Sequence, residues 1–426
     1  MTARADAEPG SALAALPRLV VRTVPLPEPP DLLAMPPHPG ALAWVRRGEG
    51  LVGWGEALRV DTTGADRFAQ AGAEWRRVVA AAEVEDDVRS RGSGLVAFGS
   101  FAFADDSPSG GSLVVPATVV GRHGDRAWLT TIDAAAPAPQ LAPAPGAVPR
   151  REPGGVTLTE GALSSDAWRR AVAATVRRIS AGEADKVVLA RDLLARSPEP
   201  LDDRVLLSRL ARRYPTTWTF AVDGLVGATP ELLARTERGR VASRVLAGTI
   251  RRSGDDAADL ALAASLARSG KDLAEHLYAV RSVAEALRPL CSVMDVPDRP
   301  YVLHLANVMH LATDVTGVLR GTATSLGIAA ALHPSAAVCG TPTKVAAQVI
   351  AETEGMDRGR YAGPVGWLDA TGDGEWGIAL RCGQLAPGRR EVRLLAGCGI
   401  VEGSDPDAEL AESTAKLVPM REALGS

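Results

Sequence analysis

Between Gly359 and Lys416 the sequence leaves the backbone few choices. Three apolar, β-rich runs, Gly359 to Ala370, Glu375 to Leu385 and Glu391 to Ile400, follow one another and read as consecutive strands. The last contains Gly397, Cys398 and Gly399, small residues that let a backbone approach a ligand closely. Ser404 or Asp405 is then expected to cap a helix that Pro406 starts, since proline fits a first turn. On that helix Glu409, Glu412 and Lys416 share one face, and Leu410, Thr414, Leu417 and Val418 share the opposite one. A glycine turn leading to two stacked carboxylates can hold a hard cation against an anionic ligand. An ordinary amphipathic helix with a solvated face has the same pattern, so the choice rests on the remaining sequence.

Residues 18–155 are β-rich and carry no catalytic constellation. Leu19 to Val24 reads as a strand, Ala41 to Arg46 and Leu51 to Val60 as a hairpin, and Asp66 to Glu85 as a helix. Gly94 to Phe103 is a further strand, and Ser112 to Val120 with Arg126 to Ile132 form a second hairpin. Residues 1–17 read as a disordered start without the apolar stretch of a signal peptide. Residues 134–155 are an Ala/Pro-rich connection, and 156–426 hold the motifs. With 426 residues there is enough chain for one large core or two lobes. A net charge of −4 argues against nucleic acid or an anionic membrane as partner, and no run reaches the length of a membrane span. Cys291, Cys339, Cys382 and Cys398 form no CxxC pair, the usage of a reduced, cytoplasmic protein. No self-complementary apolar helix stands out, so a monomer is expected.

Lysine is the rare letter here. Of 47 basic residues only Lys186, Lys271, Lys344 and Lys416 are not arginine. Where arginine is so favoured, a surviving lysine suggests a position that needs a cation able to give up its proton. Lys186 opens the short β-rich run to Arg191, where it is either a general base or a strand-edge lysine facing water. Glu231 follows Thr229 and Pro230 and begins an apolar strand, an unusual place for a carboxylate unless it is paired or functional. The hairpin from Leu232 ends in Leu246 to Thr249, small residues suited to close ligand approach. Asp256 to Arg268 and Lys271 to Leu290 read as helices, the second carrying the pair Asp272 and Glu275 away from its apolar stripe. Ser165 is expected to cap a helix ending near Gly182. His310 lies in a strand as a core histidine or a donor to a ligand oxygen. Arg381, in an apolar run, should face a carboxylate of the protein or of a substrate.

Taken together, Lys186 to Arg191, Ala228 to Leu233, Leu246 to Thr249, Lys271 to His276, Val308 to Leu311, His333 to Ser335, Tyr361 to Trp367, Ile378 to Cys382 and the C-terminal stretch resemble the chorismate-utilising enzymes. That group includes isochorismate synthase, salicylate synthase and the large subunit of anthranilate synthase. The resemblance covers about Ser165 to Leu424 and implies an α/β (α+β), two-lobed fold with large antiparallel sheets around a central site. It implies chorismate as substrate and Mg²⁺ as cofactor, held by Glu275 and Glu409 with Glu412 and Asp272 in support. Tyr361, Arg381, Lys416 and the backbone at Gly397 and Gly399 would hold the enolpyruvyl carboxylate, and Gly248, Thr249 and His310 would line the ring. Lys186 would be the general base that activates water and Glu231 the general acid. Amine-inserting members usually carry glutamine at the position of Lys186, so water is the expected nucleophile and isochorismate the expected product, feeding siderophore, menaquinone or other specialised metabolism. Salicylate synthase, which goes on to eliminate pyruvate, is the alternative; those enzymes often have threonine where this chain has Ala337. A chorismate-binding subunit without turnover is the non-enzymatic alternative. Cys339 departs from the small Ser or Gly common in relatives and puts the pocket shape in question.

Overall fold

The structure, a computed structural model, describes residues 18–134, 148–305 and 308–426, with the side chains of Lys271 and Glu275 outside that description. The start at 1–17 and most of the connection at 134–155 therefore lie outside the described residues. Among the described residues the strands form a 13-stranded and a 10-stranded sheet. Their pairings are antiparallel except that Val20–Leu26 runs parallel to Glu83–Asp86. Strands from the first 133 residues enter both sheets, so both are completed by segments far apart in sequence.

At four places the chain passes from one sheet to the other within two or three residues. It does so between Glu49–Trp54 and Leu58–Thr62, between Gly111–Val115 and Thr118–His123, between Leu225–Thr229 and Leu232–Glu237, and between Gly374–Ile378 and Cys382–Leu385. Three of the long strands expected from sequence are thereby corrected. Leu51 to Val60, Ser112 to Val120 and Glu375 to Leu385 are each two strands in different sheets. Gly55 and Arg381 turn the backbone at positive φ, and the alternation of the flanking residues gives no sign of the break. The run Gly359 to Ala370 becomes strand only at Pro364–Asp369.

The sheets face each other over a core that includes Trp44, Phe98, Phe101, Phe220 and Trp376, all fully buried. Burial of side chains of this size stabilises by about 1.5–3 kcal/mol each. The outer face of the larger sheet is covered by Asp203–Arg213 and Pro406–Leu424, which bury Leu206, Leu210, Leu417 and Met420. Helix Gly270–Leu287 packs on the Arg240–Arg251 strand of the smaller sheet. One cap shifts by a residue, and of the two caps expected for the last helix one is used. Ser164, not Ser165, caps Ser165–Ser180, and Asp405 caps the last helix while Ser404 accepts a bond from the Val401 amide.

Candidate active site

The third and fourth crossings lie side by side. The Ala228 amide donates to the Arg381 carbonyl and the Ile378 amide to the Glu231 carbonyl, each at 3.2 Å. Glu231 and Arg381 are thus fixed where both sheets meet, and Arg381 takes a positive φ of 50° in turning the chain. They open onto a cavity of about 270 Å³, which Lys186, Gly248, Thr249, Asp272, His310, Ala337, Tyr361, Gly397, Gly399, Glu409, Glu412 and Lys416 also line. Every residue expected at the site is therefore on this cavity except Glu275. That residue stands one turn beyond Asp272 in Gly270–Leu287, and its side chain lies outside the described residues.

The larger sheet supplies the floor. Strand Glu391–Ile400 pairs with Lys186–Arg196, setting Gly399 opposite Val188 and Gly397 opposite Ala190. A Cβ on Gly397 would stand 2.7 Å from the Leu189 carbonyl oxygen and 3.2 Å from the Tyr361 hydroxyl, so only glycine leaves this approach open. Burial pushes the Tyr361 phenol up and keeps it a hydrogen-bond donor. Lys186 pairs across to Thr341, whose loop carries Ala337 to the cavity. Cys339 does not reach the cavity. It is fully buried with its Sγ 3.4 Å from the Thr343 carbonyl, and burial raises its thiol to about 11.

The smaller sheet supplies another wall. A register shift between Ala247 and Thr249 places Gly248 at a positive φ of 74°, with Asp272 packed against it. Thr249 Oγ1 lies 2.9 Å from His310 Nδ1, and among the described residues His310 Nε2 is buried without a partner. Burial, with Arg381 and Lys416 adding to it, holds the imidazole down to about 3, so it is neutral.

The charged groups divide by environment. Glu231 is buried, and that burial raises its carboxyl to about 7 although Lys186, Lys416 and Arg381 pull the other way. Such a group exists as the acid and as the base near neutrality, which suits proton donation. Arg381 makes no ion pair among the described residues, which leaves its guanidinium for a ligand carboxylate. Lys416 Nζ donates to the Gly397 carbonyl at 2.9 Å and pairs with Glu412 at 2.6 Å.

Glu409 and Glu412 bring carboxylate oxygens within 4.8 Å of one another and of Cys398 Sγ. Burial and the Glu412 charge push Glu409 up. For Glu412, burial works in the same sense, but Lys416 prevails and draws it down. Two crowded carboxylates of this kind fit a hard divalent cation, whose charge would relieve their repulsion. Cys398 is a poor ligand for it. Burial raises its thiol, and Sγ points to the Glu409 carbonyl at 3.3 Å. Asp272 is engaged with Ser269 at its helix start, its amide 3.3 Å from the Ser269 hydroxyl.

Sequence reasoning passed over Arg358. It is buried, pairs with Glu354, and donates to the carbonyls of Val188 at 2.6 Å and Val338 at 2.9 Å. One guanidinium therefore ties the Lys186 strand to the Ala337 loop. The i, i+4 spacing from Glu354 to Arg358 was visible, but Gly355 ends the helix between them and hides the pairing.

A family profile described as chorismate binding enzyme matches residues 42–425. The putative isochorismate synthase MenF of Mycobacterium tuberculosis is 45% identical over 256 residues, 57% of this chain and 68% of that protein. The salicylate biosynthesis isochorismate synthase of Pseudomonas aeruginosa is 35% identical over 416 residues, 90% of this chain and 85% of that protein. Among solved structures, MenF, the menaquinone-specific isochorismate synthase from Escherichia coli, superposes with a TM-score of 0.79 at 25% identity, covering 96% of this chain and 95% of that one.

Proposed function

The chain belongs to the chorismate-binding enzyme family, and from that premise we propose that it is an isochorismate synthase, an isomerase that adds water at C2 of chorismate and expels the C4 hydroxyl. The observation that carries this reading is a buried carboxyl, Glu231, raised to about 7 on the same cavity as Lys186 and an arginine without an ion-pair partner among the described residues. Relatives named for isochorismate formation support it.

In this reading the Arg381 guanidinium and the Tyr361 hydroxyl hold the enolpyruvyl carboxylate against Gly397 and Gly399. Neutral His310 and Thr249 bound the ring. Water bonds to C2 as its proton passes to Lys186, the double bonds shift, and the C4 hydroxyl leaves as water with the Glu231 proton. One water enters and one departs, so the reaction is an isomerisation and is reversible. Glu409 and Glu412, with Glu275 by family resemblance, would hold Mg²⁺, which when bound offsets the charge of the ring carboxylate. Ala337 offers only a methyl group at the position where salicylate synthases often carry threonine, and the product is expected to remain isochorismate.

The test is incubation of purified protein with chorismate and Mg²⁺, with and without EDTA, followed by chromatography of the products. Isochorismate alone, lost with EDTA, is the expected result. Salicylate with pyruvate would replace this reading by the eliminating one, and unchanged chorismate would leave a binding protein.

A further inference from the structure

Arg191 is a buried cation that the proposed reaction does not use. It is 3% exposed and makes no ion pair among the described residues. A buried charge is normally matched by an opposite one, because leaving water is costly. Here the partners are two hydroxyls. Nε donates to Ser413 Oγ and Nη2 to Thr414 Oγ1, each at 2.8 Å. Both hydroxyls then donate to a single acceptor, the Leu410 carbonyl, at 2.9 and 2.8 Å.

Strand Lys186–Arg196 and helix Pro406–Leu424 are thus joined at one helical turn. That turn bears the crowded carboxylates: Leu410 follows Glu409 and Ser413 follows Glu412. Lys186 and Arg191 are an odd number of residues apart, so they leave the strand on opposite faces. Lys186 borders the catalytic cavity and Arg191 reaches the helix.

The helix has reason to need an anchor there, because it is interrupted further on. Pro419 has no amide hydrogen, so the Ala415 carbonyl lacks its helical donor. Leu417, Met420 and Leu424 pack the helix around and beyond that break. Ahead of it, the helix is held by the Asp405 cap and by Arg191.

We infer that Arg191 is a positioning residue for the metal site, holding the Glu409 and Glu412 carboxylates at the spacing a divalent cation requires. It acts through Ser413 and Thr414 rather than by touching cation or substrate. The inference rests on the reading of Glu409 and Glu412 as metal ligands, which it extends to the hydrogen bonds behind them.

Mn²⁺ is the probe, because carboxylate oxygens suit it as they suit Mg²⁺ and electron paramagnetic resonance counts the free ion without turnover. The wild type is titrated beside Glu409→Gln, Arg191→Gln, Thr414→Val and Thr414→Ser, each checked for folding by circular dichroism. Glu409→Gln should weaken binding and reads the metal site itself. Arg191→Gln and Thr414→Val should weaken it about tenfold or more, and Thr414→Ser, which keeps the hydroxyl, should match the wild type. Thr414→Val preserves side-chain shape, so it decides the matter if Arg191→Gln does not fold. Binding weakened by Glu409→Gln but unchanged in either Arg191→Gln or Thr414→Val would overturn the inference and leave the metal site standing. Equal losses in Thr414→Val and Thr414→Ser would also overturn it. Binding unchanged in Glu409→Gln, or absent from the wild type, would overturn the metal reading and the inference together.

Discussion

A carboxyl that titrates near 7 donates its proton only while it still carries one. Burial raises Glu231 to about 7, so its protonated fraction falls as the pH rises through that value. The pH profile of kcat/KM for isochorismate formation should therefore show an alkaline limb near 7. Glu231→Gln should lower kcat by about 10²- to 10⁴-fold, as loss of a general acid does. A profile flat across neutrality would remove Glu231 from that role. Lys186→Ala should abolish turnover while calorimetry shows chorismate binding little changed; wild-type rates would end its assignment as base. Both residues were conspicuous in the sequence because each broke a local habit, a lysine in an arginine-rich chain and a carboxylate at the head of an apolar strand. Arg358 broke none. Its partners are two backbone carbonyls and a glutamate, and which carbonyls a guanidinium reaches is decided by strand and loop placement.

At the scale of the element, a close approach near Lys186 is made by Gly340. It takes a φ of 136°, and a Cβ there would stand 2.2 Å from the Lys186 carbonyl oxygen and 2.7 Å from the Ala346 Cβ. Gly340→Ala must displace the strand that carries Lys186, at a cost of about 1–3 kcal/mol for overpacking. Thermal unfolding should show the loss of stability, and kcat should fall at the same time; an unchanged kcat would mean that the strand position is not critical. On the last helix, Glu409→Gln removes one of two crowded carboxylates. It should raise the Mg²⁺ concentration needed for half-maximal activity, read from a metal titration, and an unaltered titration would remove Glu409 from the metal site. This helix was the most legible element, because its face of Glu409, Glu412 and Lys416 follows from spacing alone. The crossings were the least legible. The register of Leu232–Glu237 and Gly374–Ile378 is set by partners in the smaller sheet, and nothing within either run says that its neighbour in sequence pairs elsewhere.

For the whole molecule, the two sheets are joined by polar as well as apolar contacts. Trp44, in the larger sheet, donates to Glu375 in the smaller one, and Arg91 and Arg235 close on the same carboxylate. Burial alone would raise Glu375, but Arg91 and Arg235 overcome it and hold the group down to about 2. Its folded pKa is depressed, so its contribution to stability is present above the usual carboxylate range and is lost as the pH falls toward about 2. Glu375→Gln should cost about 3 kcal/mol in urea denaturation, the lower end for a broken buried pair because Arg235 is 37% exposed. A stability within the error of wild type would mean that the apolar core alone joins the sheets. The order of strands in the larger sheet also bears on how the protein is made. Strand Glu391–Ile400 inserts beside Lys186–Arg196, and 201 residues separate the bonded pair Asp192 and Arg393. At translation rates of about 5–20 residues per second, the ribosome needs about 10–40 s to travel between them. Throughout that interval the nascent Lys186 strand lacks this neighbour and offers an open apolar edge to other chains. The catalytic cavity, closed by the last strand and helix, is thus a late product of synthesis, and a ribosome stalled before residue 391 would hold a chain prone to aggregate and unable to bind chorismate.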